Sequence, residues 1–510
     1  MIKNFKWLLF ASLSFVACSD DDTTSPIAEE PITAGTADFS KYIALGNSLT
    51  AGFSDNALFR TGQENSYPNI LSQQFALAGG GTFTIPYVNG DTGGLLFGGT
   101  PIQGTRLYLN GFLSATAPNI MPVPGPPTTD ILDHLTGPFS NMGVPGAKSF
   151  HLLRPGYGNA AGVPTGAANP YFVRFASSPT ASVLEDAMAQ NATFFSLWIG
   201  NNDVLSYATS GGIGTNQTGN PDPATYGGND ITDPTVFAGA YTMLVDGLTA
   251  NGAKGVVANI PYVTSIPFFR TVPHNPVPLD QATADMLNQQ LLGPAIQILT
   301  ALGAGDRLAP VAAAGNNRLL IKDESLTNLS AQLTGALIGA GVPPAQAGLM
   351  GNLYGQARHA TNQDLILLTT RGIIGTPQPG IPAPFNTVGV TFPLQDAAVL
   401  TASEVGEIRT AVDAYNISIK SIADAKGLAF LDANAALQQV FSGGVRFGNH
   451  HLSASFITGG VFSLDGVHPG ARGYAFIANK FLEAINTTYG SNFRGVNLGE
   501  YQIQYPLSLE

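Results

Sequence analysis

The sequence predicts an α/β protein built on a parallel sheet, and three stretches carry that reading. Thr193 to Ile199 (TFFSLWI) is an apolar, aromatic-rich run bounded by Asn191 and Gly200, the pattern of a strand buried on both faces. Phe237 to Ala250 has apolar residues at helical spacing and leads into Lys254 to Ile260 (KGVVANI), the next strand. The same succession returns when Thr401-x-x-Glu404, a capping box, opens a helix to about Ala425, followed by a strand at Leu428 to Leu431. Strand and helix in alternation imply right-handed βαβ crossovers.

The remaining elements follow in order. Tyr42 to Leu45 is a short apolar strand ending at Gly46, and folded structure is expected to start there. Residues 54–135 are rich in Gly and Pro (TGGLLFGGTP, MPVPGPP) and read as a long insertion with few regular elements. Asn141 to Val144 is a strand end running into Pro145-Gly146. Residues 262–400 break the rhythm. Two amphipathic helices are expected near 279–302 and 325–356, with strand-like runs at Leu319–Ile321 and Leu365–Leu368, so this stretch reads as a second insertion and cap. Pro469 to about Asn486 is the last helix, with Pro in its first turn. Residues 491–510 form a C-terminal tail.

Composition narrows the function classes. Of 510 residues, 44% are hydrophobic and only 11% charged, which suits a sizeable core. Gly (60) and Pro (35) imply much loop. A net charge of −12 with no basic run sets nucleic-acid binding aside.

Cys18 is the one cysteine, so neither an intramolecular disulfide nor a Cys-based metal site can form. Lys3 and Lys6 precede a ten-residue apolar run, Trp7 to Val16, too short to span a bilayer, and then Ala17-Cys18. This resembles a bacterial lipoprotein signal covering residues 1–17, with Phe15 where such signals usually have Leu. The resemblance implies lipidation of Cys18. A plain secretory signal ending near Ala17 is the alternative. Ser19-Asp20-Asp21-Asp22 resembles the acidic tract after the lipidated cysteine of surface-exposed Bacteroidetes lipoproteins, and it also reads as a solvated tether. Residues 18–38 are expected to be a disordered stalk. The implied location is the outer membrane surface, with membrane contact through the lipid anchor alone.

Four short blocks lie at predicted strand ends, the edge of an open α/β sheet where ligands bind. Gly46-Asn47-Ser48-Leu49 puts a serine between strand and helix; alone, it reads better as a plain helix cap. Asp465-Gly466-Val467-His468 pairs an imidazole base with a carboxylate able to hold its tautomer. The other six histidines lack this setting, and the adjacent pair His450-His451 reads as surface loop before metal site. Gly200-Asn201-Asn202-Asp203 offers a side-chain amide to an oxyanion, or a polar turn. In Asn141-Met142-Gly143-Val144-Pro145-Gly146, a glycine N–H can face a cleft, or simply turn the chain.

In this order, the blocks GNSL, N-x-G-x-P-G, G-x-N-D and D-x-x-H-P resemble those of the GDSL family, also called SGNH hydrolases. The likeness covers about residues 40–485 but not the two insertions. It implies a flavodoxin-like three-layer α/β/α sandwich spanning about 39–490, and ester hydrolysis without metal or other cofactor. Ser48 would be the nucleophile, His468 the base and Asp465 its partner, while the Ser48 N–H, Gly146 and Asn202 would form the oxyanion hole. Asn47 stands where the family commonly has Asp. Asp203 would brace the Asn202 loop, and Asp432 is the rival to Asp465. The expected substrates are acyl or lipid esters, with Gly93 to Leu113 walling the acyl site. Deacetylation of acetylated glycans by the same residues, or a non-catalytic surface binding protein, are the alternatives.

Overall fold

The computed structural model describes residues 30–114 and 117–509; Cys18, the signal and the acidic tract lie outside them. Five strands, β1 (Tyr42–Gly46), β2 (Asn141–Gly143), β3 (Phe194–Trp198), β4 (Lys254–Ala258) and β5 (Ala429–Leu431), form one sheet, parallel throughout, in the order β2-β1-β3-β4-β5. This order is compatible with a flavodoxin-like fold, and it reverses direction between β1 and β3. All five residues of β1 and of β3 are buried, as central parallel strands require. The exception to apolar chemistry in β3 is Ser196, whose hydroxyl meets that of Tyr42 at 2.7 Å.

Seven helices bear on the site: α1 (Ser48–Ala51), α2 (Tyr67–Ala76), α3 (Asn202–Thr209), α4 (Pro234–Thr249), α5 (Ala402–Lys426), α6 (Ala433–Ser442) and α7 (Ala471–Tyr489). They flank the sheet in packed pairs. Tyr67 of α2 stacks on Phe481 of α7 at 4.7 Å, and both rings meet Trp198 of β3. Phe237 of α4 stacks on Tyr415 of α5 at 4.2 Å. Helix α4 starts where Asp233 Oδ1 accepts the Thr235 and Val236 N–H groups, with Pro234 at the first position. Helix α5 opens with the expected capping box: the Thr401 N–H donates to Glu404 Oε2 at 2.7 Å.

Several boundaries differ from the sequence expectation. Residues 54–135 are not poor in regular structure. They contain α2, whose Tyr67, Ile70, Leu71 and Phe75 join the main core, so this stretch supplies a helix covering the sheet. They also contain two antiparallel hairpins, Leu95–Phe97 with Thr100–Gln103 and Leu107–Ser114 with Ala117–Pro122. Gly98-Gly99 marked the turn of the first hairpin, and the Gly- and Pro-rich composition hid the strands of both. Contacts begin ahead of Tyr42: the Thr36 N–H donates to the Tyr489 carbonyl at 2.8 Å and Ala37 is buried, which ties the end of the expected stalk to α7. The last helix starts at Ala471, because the Pro469 region instead bridges Phe462.

Between β4 and α5 the chain builds a second hydrophobic cluster around Leu292, Leu299, Leu333, Leu337 and Tyr354. The expected helix near 279–302 is Gln281–Leu287 continuing through one wider turn into Gly293–Ala301. The expected helix over 325–356 is two, Ser330–Gly339 and Pro344–Tyr354, broken at Gly341-Val342-Pro343. Arg358 holds this region together, donating to both Asp323 and Asp364 at 2.6–2.7 Å. Among the described residues, no helix is long and apolar enough to cross a membrane.

Candidate active site

Ser48 is the first residue of α1, directly beyond β1. It is not the cap. That role falls to Asn47, whose Oδ1 accepts the Leu49 N–H at 3.0 Å. The Ser48 hydroxyl is therefore left for another partner, and His468 Nε2 lies 2.9 Å from its Oγ. The other ring nitrogen, Nδ1, lies 2.8 Å from Asp465 Oδ2. An ionised carboxylate accepts, so Nδ1 carries the proton and Nε2 is free to accept from the Ser48 O–H.

The Asp465-Gly466-Val467-His468 turn explains how two residues three apart face each other. Gly466 has φ +71°, which bends the chain back, and a Cβ there would lie 3.1 Å from the Phe268 nitrogen. The turn then lets Asp465 Oδ1 accept the N–H groups of Val467 and His468, both at 2.8 Å. Burial pushes the Asp465 carboxyl up. The His468 charge and these hydrogen bonds outweigh it and hold the group down at about 2, so it is ionised throughout the neutral range. The Phe53 ring lies 4.6 Å from the His468 ring and shields one side of it.

Two further bonds to Asp465 come from groups the sequence reading missed. Ser463 Oγ donates to Oδ1 at 2.9 Å, and the Asn56 N–H donates to Oδ2 at 3.0 Å. Asp55 and Asn56 both have positive φ (49° and 65°), a conformation that Asp and Asn tolerate better than most residues. That bend aims their N–H groups at the catalytic-loop candidates: the Asp55 N–H donates to Ser463 Oγ at 3.0 Å, and Asp55 Oδ1 accepts the Leu464 N–H at 2.8 Å. Burial raises the Asp55 carboxyl to about 7, and its Oδ2 is buried without a hydrogen-bond partner among the described residues. The Asp-Asn pair was a visible turn signal, but nothing local tied it to residues some 400 positions away.

The remaining predicted residues fall nearby. Asn202 opens α3 and lines the same pocket as Ser48. Its Nδ2 donates to the Ala147 carbonyl at 2.9 Å, which fixes one amide hydrogen and leaves the second. That bond joins the Asn202 loop to the loop of Gly146, whose φ of +81° makes glycine the natural residue there. Gly146 does not line the pocket and connects to it through Ala147 and Asn202. Asp203 does brace this region: it accepts from the Ser149 N–H at 2.8 Å and the Ser149 hydroxyl at 2.7 Å. The Asn47 amide donates to Asn201 Oδ1 at 3.4 Å, so Asn47 both caps the helix and links two strand ends.

Asp432 is occupied elsewhere, capping α6 and accepting from Asn259 Nδ2 at 2.8 Å, which leaves Asp465 as the partner of His468. His450 and His451 sit in a surface hairpin, and no group of metal-ligating side chains occurs among the described residues.

A pocket of about 100 Å³ opens at Ser48 and His468. It runs beneath the His468 loop between α6 and α7, lined by Val263, Ile266, Ala436, Val440, Phe462 and Phe476 among others. Gly93 to Leu113 contributes nothing to it, contrary to the sequence expectation. That segment forms the hairpins and is held by Arg106, which donates to the carbonyls of Pro506 and Leu507 in the C-terminal segment.

Compared with known proteins, the chain matches no family model, no curated protein and no solved structure.

Proposed function

We propose that this chain is a serine ester hydrolase of the SGNH type, working through an acyl-enzyme. The observation that carries the reading is the unbroken relay from Ser48 Oγ to His468 Nε2 and from His468 Nδ1 to Asp465. A helix cap needs no such relay, and a non-catalytic binding face has no use for it.

In the first step His468 Nε2 takes the Ser48 proton as Oγ forms a bond to the ester carbonyl carbon. The developing oxyanion is met by the Ser48 N–H, an orphan donor at the start of α1, and by the second amide hydrogen of Asn202, which the Gly146 loop holds in place through Ala147. Asp465 remains ionised and balances the imidazolium. The carbon–alkoxide bond then breaks, and the alcohol leaves with the proton from His468. Water, deprotonated by the same nitrogen, forms a bond to the acyl carbon; the acyl carbon–Oγ bond breaks, Ser48 Oγ takes the proton back from His468, and the acid is released.

The sheet order supports a three-layer flavodoxin-like scaffold with its site at the β1/β3 switch point. We further place the protein at the outer membrane surface through lipid on Cys18, on the strength of the signal-like N-terminus. An active-site fluorophosphonate is expected to label Ser48, and Ser48→Ala to abolish both labelling and hydrolysis of p-nitrophenyl esters. Wild-type activity in Ser48→Ala would refute the assignment.

A further inference from the structure

The geometry points to a selective binding site for a short-to-medium acyl chain in the pocket between α6 and α7; this rests on the ester-hydrolase reading and names its substrate class. The pocket starts at the proposed reacting pair and continues away from it. Segments that follow three different strands build its walls together with α7: Leu205 after β3, Val263 and Ile266 after β4, Ala436 and Val440 after β5, and Phe476 on α7. Lys480 also lines the pocket; its ammonium is held by Glu483 at 2.8–3.0 Å and lies 5.8 Å from the Phe476 ring centroid, which leaves its methylenes to the wall. Beyond the polar groups beside Ser48 (Asn201, Asn202 and His468) the lining is almost wholly apolar, and burying a sugar hydroxyl there unpaired is unfavourable.

The reaction itself decides which arm of the ester belongs in this pocket. When the Ser48 Oγ–carbonyl bond forms and the carbon–alkoxide bond breaks, the alcohol departs with the proton from His468 and must be replaced by water. The acyl group stays on Ser48 through both steps. A pocket walled by two helices suits the group that stays on Ser48 rather than the group that must leave. An apolar cavity of roughly 150 Å³ holds benzene, so about 100 Å³ accommodates a chain of about four to six carbons. An acetyl group would leave most of it unfilled.

The test uses the purified protein with two ester series: p-nitrophenyl esters from acetyl to dodecanoyl, and alkyl acetates from ethyl to octyl. For the first, kcat/KM is expected to rise roughly fourfold per methylene up to about hexanoyl, the rate equivalent of burying each CH₂, and to fall beyond octanoyl. For the second it should change little. Ala436→Phe fills the pocket and should lower the hexanoyl-to-acetyl ratio about 30-fold or more. Val440→Ala enlarges it and should move the optimum to longer chains, and this smaller change carries the test if Ala436→Phe does not fold. A flat acyl profile in a protein whose Ser48 reacts with fluorophosphonate overturns the pocket assignment and leaves the hydrolase standing. A preference that follows the alcohol series instead overturns the acyl assignment. Absence of both labelling and hydrolysis overturns the inference together with the reading beneath it.

Discussion

The Asn56 N–H donates to Oδ2 of Asp465 at 3.0 Å, joining residues 409 positions apart. With the N–H groups of Val467 and His468, the Ser463 hydroxyl and His468 Nδ1, it brings the hydrogen bonds on this one carboxylate to five. The carboxylate is thus held in orientation from both sides, and His468 is held by it.

Removing one of those bonds should loosen the relay without dismantling it. Ser463→Ala takes away a donor to Oδ1 and leaves the Asp55 N–H without its acceptor. The expected result is a kcat about tenfold lower with KM little changed, the equivalent of one charge-assisted hydrogen bond. Asp465→Asn should cost far more, about 10³–10⁴ in kcat, because an amide can hold the wrong histidine tautomer. Steady-state kinetics on one p-nitrophenyl ester separates the two, and equal losses would contradict this ranking.

The two neighbouring acids should impose opposite pH dependences on stability. The Asp465 carboxyl is held at about 2, below its unfolded value, so its stabilisation is present above about pH 4 and is lost as pH falls towards 2. Asp55 is raised to about 7, so the folded state favours its neutral form and stability declines as pH rises from about 4 through 7. Asp55→Asn keeps an acceptor for the Leu464 N–H and removes the charge. It should stabilise the protein by about 1–3 kcal/mol at pH 8 and by little at pH 4. Denaturant melts of both proteins at the two pH values decide it.

Asn47 should tolerate replacement by a carboxylate better than loss of its side chain. Asn47→Asp retains an acceptor for the Leu49 N–H at a helix N-terminus, where negative charge is favourable. Asn47→Ala removes the cap, at a cost of about 1 kcal/mol in stability, and frees the turn that aims Ser48. The alanine variant is therefore expected to show the lower melting temperature and the lower kcat. The reverse order would show that the bond to Asn201 matters more than the cap.

Asn202→Ala should lower kcat by about 10²–10³ with the fold intact, the usual consequence of removing one oxyanion donor. Its bond to the Ala147 carbonyl gives the same substitution a second effect, a looser Gly146 loop. Circular dichroism and the rate of fluorophosphonate labelling, measured together, distinguish lost chemistry from lost structure.

The sheet strands were legible in the sequence because central parallel strands are buried on both faces and read as continuous apolar runs: FFSLW in β3 and YIALG in β1 lie where the pattern put them. The capping box at Thr401 and the turn at Gly466 were legible because their chemistry is local. The Asp465/His468 spacing is local too, but it was the order of the four blocks, not the spacing alone, that singled the pair out, with Asp432 as its rival. The helix at Tyr67–Ala76 was hidden inside a Gly- and Pro-rich stretch, and its place in the core depends on Phe481 and Trp198, which are distant in sequence.

What the sequence by itself determined is the set of reactive residue types and their position just beyond strands. What only the tertiary structure decided is which of them meet. It set Ser48 within 2.9 Å of His468 and placed Asn47 rather than Ser48 in the cap. It turned Asp432 to Asn259, brought Asn56 and Ser463 to Asp465, and built the apolar pocket from α6 and α7. The physical reason is range. Caps, turns and strand burial are governed by neighbours within a few residues, whereas the hydrogen bonds that orient a carboxylate, and the walls of a pocket, come from segments that only the closed fold makes adjacent.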